Sequence, residues 1–325
     1  MKVIVIFFVL ASAAVADPVT LRMAAVAPDG TAWARELKAF GREVEATTAG
    51  QVKVRWYLGG IAGDEVQALA RAERGQLDGL AGSVVCQQRS PSLRAVRVAG
   101  LFRSSDESRW VMAKLKADID TELGAGGFFN LGQGQFGDDA LFSRQPVRSF
   151  AEMRRMRWFV WDVDPVSQKM AAAMGLRTVP LALVDAGRAY DERRIDGFIA
   201  TPTAALAFQW SAQTRYVTPL GAAMLPACMV VANRAYDALP LDGQEALRAA
   251  AAKFFVRFND LSRRQEAELL GGLFEKQGLV QVTPSRTFVD EFVLAARGAR
   301  ATLGELVPAT RLQEIIGWLD ERRKR

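Results

Sequence analysis

The hydrophobic pattern in the middle of the chain alternates between short apolar runs and helical segments. Residues 157–161 form an apolar, aromatic run that predicts a buried strand, and residues 178–183 and 195–200 predict two more. Residues 167–174, rich in alanine and methionine, and a segment that Asp185 can cap both predict helices between these strands. Strands that alternate with helices are typical of a parallel sheet, so the expected fold class is α/β.

The N-terminal part of the chain has the same order of elements. Apolar alternation predicts strands at residues 18–27, 51–58 and 77–85, with helices at residues 32–47 and 64–74 between them. Two units of this kind predict two lobes, each with a mostly parallel sheet flanked by helices. Ligands in such folds bind at the carboxyl ends of the strands, so we expect a site where these ends meet.

A long helical pattern runs from Asp242 to about residue 277. At ~1.5 Å per residue, a helix of this length would reach ~50 Å, which is enough to lie across two lobes. Gly271 and Gly272 interrupt the pattern and mark its expected weak point.

Several short motifs occur in a fixed order along the chain. They are Leu21 to Trp33 with Pro28 and Thr31, residues 50–63, Gly75 to Asp78, Leu101 to Ser104, and Gly175 with Pro180, Asp196 and Gly197. In this order they resemble the periplasmic solute-binding subunits of TRAP transporters (tripartite ATP-independent periplasmic transporters), the DctP-type family. The resemblance implies a two-lobe periplasmic binding fold with a long helix that bridges the lobes. It also implies a small-molecule ligand, membrane permease subunits as partners, no cofactor and no enzymatic activity.

The N-terminus predicts export to the periplasm. Lys2, an apolar run over residues 3–10 and the sequence Ala14-Val15-Ala16 fit a signal peptide cleaved after Ala16. We therefore divide the chain into the signal peptide, lobe I and lobe II. Their predicted boundaries are residues 1–16 for the signal peptide, 17–140 plus 229–268 for lobe I, and 141–228 plus 269–325 for lobe II.

Composition and charge narrow the function classes. The chain has 42 basic and 36 acidic residues, a net charge of +6, and no basic patch with interleaved aromatic residues, so we expect no nucleic-acid partner. It has no histidine, which excludes triads and metal sites built on that residue. Asp162 and Asp164 could serve a hydrolase or a hard cation, but loop carboxylates more often cap helices and form turns. We expect neither a catalytic residue nor a metal site.

Cys86 and Cys228 are the two cysteines of the chain. In an oxidising compartment they can form a disulfide, but a large domain does not require one bridge. The sequence leaves this pairing open.

Aromatic side chains near the predicted strand ends are the candidate ligand-binding residues. A pocket needs apolar walls and a few polar anchors, and any one of these aromatic residues could equally be core. The candidates are Trp33, Phe136, Phe159, Trp161, Phe198, Ala200, Thr201, Phe208 and Trp210, with Arg157 held in reserve.

The resemblance fails at the polar anchors of the family. The arginine that holds an organic acid in TRAP subunits aligns with Phe159, the family's asparagine aligns with Ala200, and a second arginine falls near Asp138. A carboxylate buried without these partners would cost several kcal/mol. We therefore expect an uncharged or hydrophobic ligand. Two alternatives stay open: organic-acid binding with a relocated anchor such as Arg157, or an envelope interaction protein of the same fold without a small-molecule ligand.

Overall fold

The structure, a computed structural model, describes residues 17–324. The predicted signal peptide lies outside the described residues, and its cleavage after Ala16 stays a prediction. Within residues 17–324, no helix has both the length and the apolar character that a membrane span requires.

Two sheets organise the described part of the chain. The strands are β1 (Val19–Ala24), β2 (Val52–Tyr57), β3 (Gly79–Gly82), β4 (Phe128–Asp138), β5 (Ala140–Ser143), β6 (Arg157–Trp161), β7 (Arg177–Leu181), β8 (Gly197–Ala200), β9 (Tyr216–Thr218), β10 (Met224–Ala232) and β11 (Val280–Gln281). The first sheet has the order β2-β1-β3-β10-β4, and the second has the order β11-β9-β5-β8-β6-β7. The α/β class and the two-lobe architecture are confirmed, and each sheet is mostly parallel with one antiparallel strand. In the first, β10 runs antiparallel to β3 and β4, and in the second, β5 runs antiparallel to β8 and β9.

Helices cover the faces of both sheets. They are α1 (Ala32–Thr47), α2 (Glu65–Glu73), α3 (Val84–Arg89), α4 (Pro91–Val96), α5 (Ser105–Lys114), α6 (Lys116–Ala125), α7 (Phe150–Arg155), α8 (Pro165–Ala173), α9 (Leu183–Asp191), α10 (Pro202–Ala207), α11 (Trp210–Gln213), α12 (Asn233–Asp237), α13 (Leu241–Glu268), α14 (Phe274–Lys276), α15 (Arg286–Ala299) and α16 (Ala309–Lys324). Polar N-caps start many of them: Thr31 accepts from the Ala34 amide, and Ser149 accepts from the Glu152 amide. Asp185 differs from the prediction, because it lies inside the first turn of α9 rather than at its N-cap.

An arginine and an aspartate are joined in the same way in both sheets. Asp78, just before β3, accepts from Arg22 Nε at 2.8 Å and from the Arg22 amide at 2.9 Å. Asp196, just before β8, accepts from Arg157 Nε at 2.9 Å and from the Arg157 amide at 2.9 Å. Each aspartate thus fixes the start of one parallel strand against its neighbour. The glycine after Asp196 is required, because a Cβ there would collide with the Phe142 carbonyl of the adjacent strand.

The long helix α13 connects the two halves of the molecule. It packs against β4 and α1 beside the first sheet, and also against α10, which follows β8 of the second sheet. It ends at Glu268, nine residues before the predicted end at 277. A π-helical segment, Leu269–Leu273, follows, and within it Gly271 and Gly272 have non-helical backbone angles. The φ of +119° at Gly272 lies where side chains are disfavoured, so the break coincides with the predicted weak point.

Two segments lie elsewhere than the predicted lobe boundaries place them. Met224 to Cys228, which that division assigns to lobe II, are part of β10 and pair with β3 and β4 of the first sheet. The C-terminal helix α16 packs against α4 and α5, which also lie beside the first sheet. β10 returns to the first lobe before β11 joins the second sheet, whereas α16 returns after it. The rest of the division remains a prediction.

Cys86 and Cys228 are joined in a disulfide with a Cα–Cα distance of 6.0 Å. The bond ties α3 to β10 across 142 residues of sequence. It therefore fastens a helix that follows β3 to the strand that pairs with β3, within the first lobe.

Candidate functional site

A cleft of about 140 Å³ lies between the two sheets, at the carboxyl ends of β1, β3, β6 and β8. We call it the front cavity. Most of its walls are apolar. It brings together eight of the ten predicted ligand residues: Trp33, Phe136, Phe159, Trp161, Ala200, Thr201, Phe208 and Trp210.

The aromatic rings of the front cavity form two groups. From the first lobe, Trp33 and Phe136 meet edge to face, with centroids 4.9 Å apart. From the second, Trp210 lies 5.2 Å from Phe159 and 5.1 Å from Phe208. These contacts fix the rings in rigid walls, which suits recognition of an apolar or aromatic molecule between them.

Two of the predicted residues lie outside the front cavity. Phe198 is fully buried between Tyr190 and Trp210, with ring centroids 5.2 Å and 4.9 Å away, so it belongs to the core of the second lobe. Arg157 begins β6, at the end opposite the cleft, and its guanidinium is held by Asp196. The structure thus places the reserve anchor Arg157 outside the cleft, because alternation along a strand tells which face a side chain takes but not which end of the sheet it is near.

The structure adds a buried ionic cluster that the sequence did not identify. Arg97, after α4, donates from Nη1 to Asp139 Oδ2 at 2.6 Å and from Nε to Asp164 Oδ2 at 3.1 Å. All three side chains are at most 7% exposed, and all three line the front cavity. Burial disfavours the charge of Arg97, but the two carboxylates outweigh that effect and raise its pKa. The positive charge is thus already matched by two negative ones.

A sequence signal for Arg97 exists. It is the single charged residue between Ala95 and Leu101, an otherwise apolar run, and a buried arginine must be paired. Its partners are 42 and 67 residues away in sequence, so they could not be identified from the apolar run alone.

Asp164 has two structural roles. It is the N-cap of α8, where it accepts from the Ser167 amide at 3.0 Å, and it pairs with Arg97. Asp162 is exposed and is not among the residues that line the front cavity; partial burial, followed by the charge of Asp64, raises its pKa. The capping expectation therefore applies to Asp164. Among residues 17–324, no cluster of acidic and cysteine side chains could hold a metal ion.

Glu65 is a second buried charge that the sequence did not single out. It begins α2, is 4% exposed, and lines the front cavity. Its Oε2 accepts from the Val85 amide at 2.8 Å and from the Ser83 amide at 3.0 Å, at the start of α3. Burial raises its pKa to about 7, although these amides partly oppose the shift. Gly82 makes room for it, because a Cβ there would collide with the carboxyl group.

Two indole N–H groups in the walls have no hydrogen-bond partner among the described residues. They belong to Trp33 and Trp161, and both are shielded from solvent. A buried donor left unpaired costs about 1–3 kcal/mol. An oxygen or nitrogen acceptor on a ligand could remove that cost.

A rear cavity of about 60 Å³ adjoins the front cavity and extends beneath α13. Apart from Glu65, its lining is apolar or glycine and includes three phenylalanines of α13. The two cavities share Val26, Trp33, Glu65, Phe136 and Phe208. Glu65 is the charged side chain at their junction.

Comparison with known proteins identifies the family of this arrangement. Residues 23–298 match the profile of "Bacterial extracellular solute-binding protein, family 7" (DctP). No sequence among the curated proteins matches the chain significantly.

Solved structures of similar fold come from several bacteria. DctP7 of Bordetella pertussis, an extracytoplasmic solute receptor binding pyroglutamic acid, is 18% identical, with a TM-score of 0.84 over 92% of this chain and 99% of its own. A TRAP periplasmic solute-binding protein from Haemophilus influenzae with bound L-gulonate is 17% identical, with a TM-score of 0.85 over 93% and 99%. One from Desulfovibrio desulfuricans with bound sn-glycerol-3-phosphate is 17% identical, with a TM-score of 0.85 over 94% and 97%. At this level of identity, the likeness shows the fold.

Proposed function

The chain belongs to family 7 of the bacterial extracellular solute-binding proteins, and we propose that it captures an uncharged or largely apolar small molecule in its front cavity. It acts as a receptor without catalysis, and it delivers the ligand to the permease subunits of a TRAP-type transporter in the membrane. The similar structures hold organic acids or a phosphate ester, so this ligand class departs from theirs.

The pairing of Arg97 is the observation that carries the proposal. Arg97 is the one cationic side chain in the described lining of the front cavity, and Asp139 and Asp164 already hold it. An incoming carboxylate would have to compete with both, inside a cluster whose net charge is already negative. Close to these charges, a buried anion without its own partner would cost several kcal/mol.

The walls support the same ligand class. Phe159, which stands where the resemblance places the ligand-binding arginine, is 3% exposed and packs on Trp210. The unpaired indole N–H groups of Trp33 and Trp161 would each suit an uncharged acceptor such as a carbonyl or hydroxyl oxygen.

Organic-acid binding is the second candidate, because Arg97 keeps one group free. Its Nη2 atom makes no hydrogen bond to the described residues, so it could donate to a carboxylate while Nε and Nη1 stay engaged. In this version Arg97, not Arg157, is the relocated anchor.

Native mass spectrometry of the mature protein, followed by extraction of any bound molecule, tests the first candidate directly. Thermal unfolding with hexanol, pyroglutamate or L-gulonate then separates the two. The proposal predicts that hexanol raises the melting temperature and that the two acids do not. Tight binding of either acid would contradict it and favour the second candidate.

A further inference from the structure

We infer that the ligand of this receptor is an elongated organic amine, whose ammonium group binds Glu65 and whose apolar chain enters the rear cavity. This inference rests on the receptor role and the apolar cavity of the proposed function, and within that ligand class it selects a largely apolar molecule with one positive charge over an uncharged one.

The first observation is the position of Glu65. It is the charged side chain common to both cavities, so a molecule that extends from one into the other must pass it. Its Oε2 accepts two amides, whereas Oε1 has only a shared bond with the Ser83 amide at 3.1 Å. A carboxylate has about four acceptor positions, so Glu65 can take further donors from a ligand.

The second observation is the charge around the cleft. Glu65, Asp139 and Asp164 line the front cavity, with Arg97 as their counter-charge. This distribution repels an anion and attracts a cation, in contrast to the net charge of +6 of the whole chain.

The third observation is that aromatic side chains surround Glu65 where the front and rear cavities meet. Trp33, Phe136 and Phe208 border both cavities beside Glu65. Ring faces attract an ammonium group, and the combination of rings with a carboxylate suits a cation better than a neutral alcohol. Behind them, Phe254, Phe255 and Phe258 of α13 give the rear cavity an apolar wall that fits a hydrocarbon chain.

Calorimetric titration with hexylamine, hexanol, hexanoate and propylamine tests the inference. Because a charge-assisted hydrogen bond is stronger than a neutral one, hexylamine should bind roughly tenfold or more tightly than hexanol. Propylamine should bind more weakly than hexylamine, because its chain is too short to fill the rear cavity. Glu65→Gln should remove the preference for the amine, while Glu73→Gln, the same change at the exposed end of the same helix, should leave it.

The rear cavity has its own test. Ala81 lines it but not the front cavity, so Ala81→Leu should abolish the advantage of hexylamine over propylamine. Ala171→Leu, which narrows the front cavity alone, should weaken both amines alike. This pair keeps the inference testable if Glu65→Gln does not fold.

The wild-type protein provides a further readout. Glu65 has a pKa of about 7, with Asp64 as its charged neighbour and Arg97, Asp139 and Asp164 in the same cavity. Hexylamine should therefore bind more tightly at about pH 8 than at about pH 6, whereas hexanol should not.

The outcomes separate the inference from the proposed function. If hexanol bound as tightly as hexylamine, the inference of an amine ligand would be wrong, but the proposal of an apolar ligand would stand. If hexanoate bound most tightly of the four, both the amine inference and the proposed function would be wrong. A folded protein that binds none of the four at millimolar concentration would also contradict both.

Discussion

Arg97 Nε lies 3.1 Å from Asp164 Oδ2, and this ion pair crosses the cleft between the two lobes. Arg97 follows α4 beside the first sheet, whereas Asp164 caps α8 beside the second. A third side chain, Asp139, lies between β4 and β5, where the chain crosses from one sheet to the other. The cluster thus joins both lobes and the connection between them, directly in the wall of the front cavity.

Removing one partner of this cluster should destabilise the protein strongly. We expect Asp164→Ala to lower the free energy of unfolding by about 3–5 kcal/mol, because it leaves Arg97 less well paired in a buried position and removes a helix cap. Denaturant unfolding followed by circular dichroism measures this loss. The control is Asp106→Ala, which breaks an exposed pair with Arg109 and should cost at most about 1 kcal/mol. Equal effects of the two substitutions would show that the cluster contributes no more than a surface pair.

The disulfide should contribute to stability over a long loop. Because Cys86 and Cys228 are 142 residues apart, the bond restricts the unfolded chain considerably. We expect the double substitution Cys86→Ser and Cys228→Ser to lower the free energy of unfolding by about 2–5 kcal/mol. Reductant should have the same effect on the wild-type protein and none on the double variant. Labelling of both thiols in unreduced, unfolded protein would contradict the bond itself.

The sequence predicted the elements of the sheets better than the cluster between them. β6 has its predicted bounds because a short apolar run with clear ends carries its own signal. β4 is an 11-residue strand, although residues 124–137 are rich in glycine, which is disfavoured in strands. Its glycines are explained by α13: a Cβ at Gly132 would meet the Phe255 ring, and one at Gly134 would meet Asn259. Only the packed fold reveals that requirement.

For the candidate site, too, some residues could be predicted from the sequence and others could not. Aromatic residues at strand ends could be predicted to line the cleft, because the carboxyl ends of parallel strands converge there. Arg97, Asp139 and Glu65 could not, because each acquires its role from partners distant in sequence. The structure places Phe198 and Arg157 outside the cleft. Alternation along a single strand shows neither which end of the sheet a residue is near nor how deeply its side chain is buried.

Two half-buried carboxylates near the connection between the two sheets should make stability depend on pH. Burial, followed by the charge of Asp139, raises the pKa of Asp138 to about 6, while Arg109 and Arg97 oppose the shift. Burial, followed by the charge of Asp138, raises the pKa of Glu266 to about 7. Glu266 on α13 accepts from the Asp138 amide at 3.4 Å, so the two residues are neighbours in the fold.

The sign of this effect follows from proton binding. Both carboxyl groups hold their protons more tightly in the folded state, so the unfolded state binds fewer protons between about pH 4 and 7. The melting temperature should therefore fall as the pH rises through this window. Glu266→Gln should flatten the fall and stabilise the protein at about pH 8 by on the order of 2 kcal/mol. Glu268→Gln, two residues along and exposed, is the control, and a curve unchanged by Glu266→Gln would refute the assignment.

Phe159→Arg tests whether the missing family arginine decides the ligand class. The guanidinium would replace a ring that is 3% exposed and packed against Phe198 and Trp210, so we expect a loss of about 3–5 kcal/mol in stability. Phe159→Leu should lose less, because it leaves a smaller apolar side chain and no charge. If an arginine at this position is what recruits an acid, pyroglutamate should raise the melting temperature of the Arg variant and not that of the Leu variant or the wild type. An acid that stabilised all three proteins alike would show that Phe159 does not exclude anions, and that Arg97 already binds them.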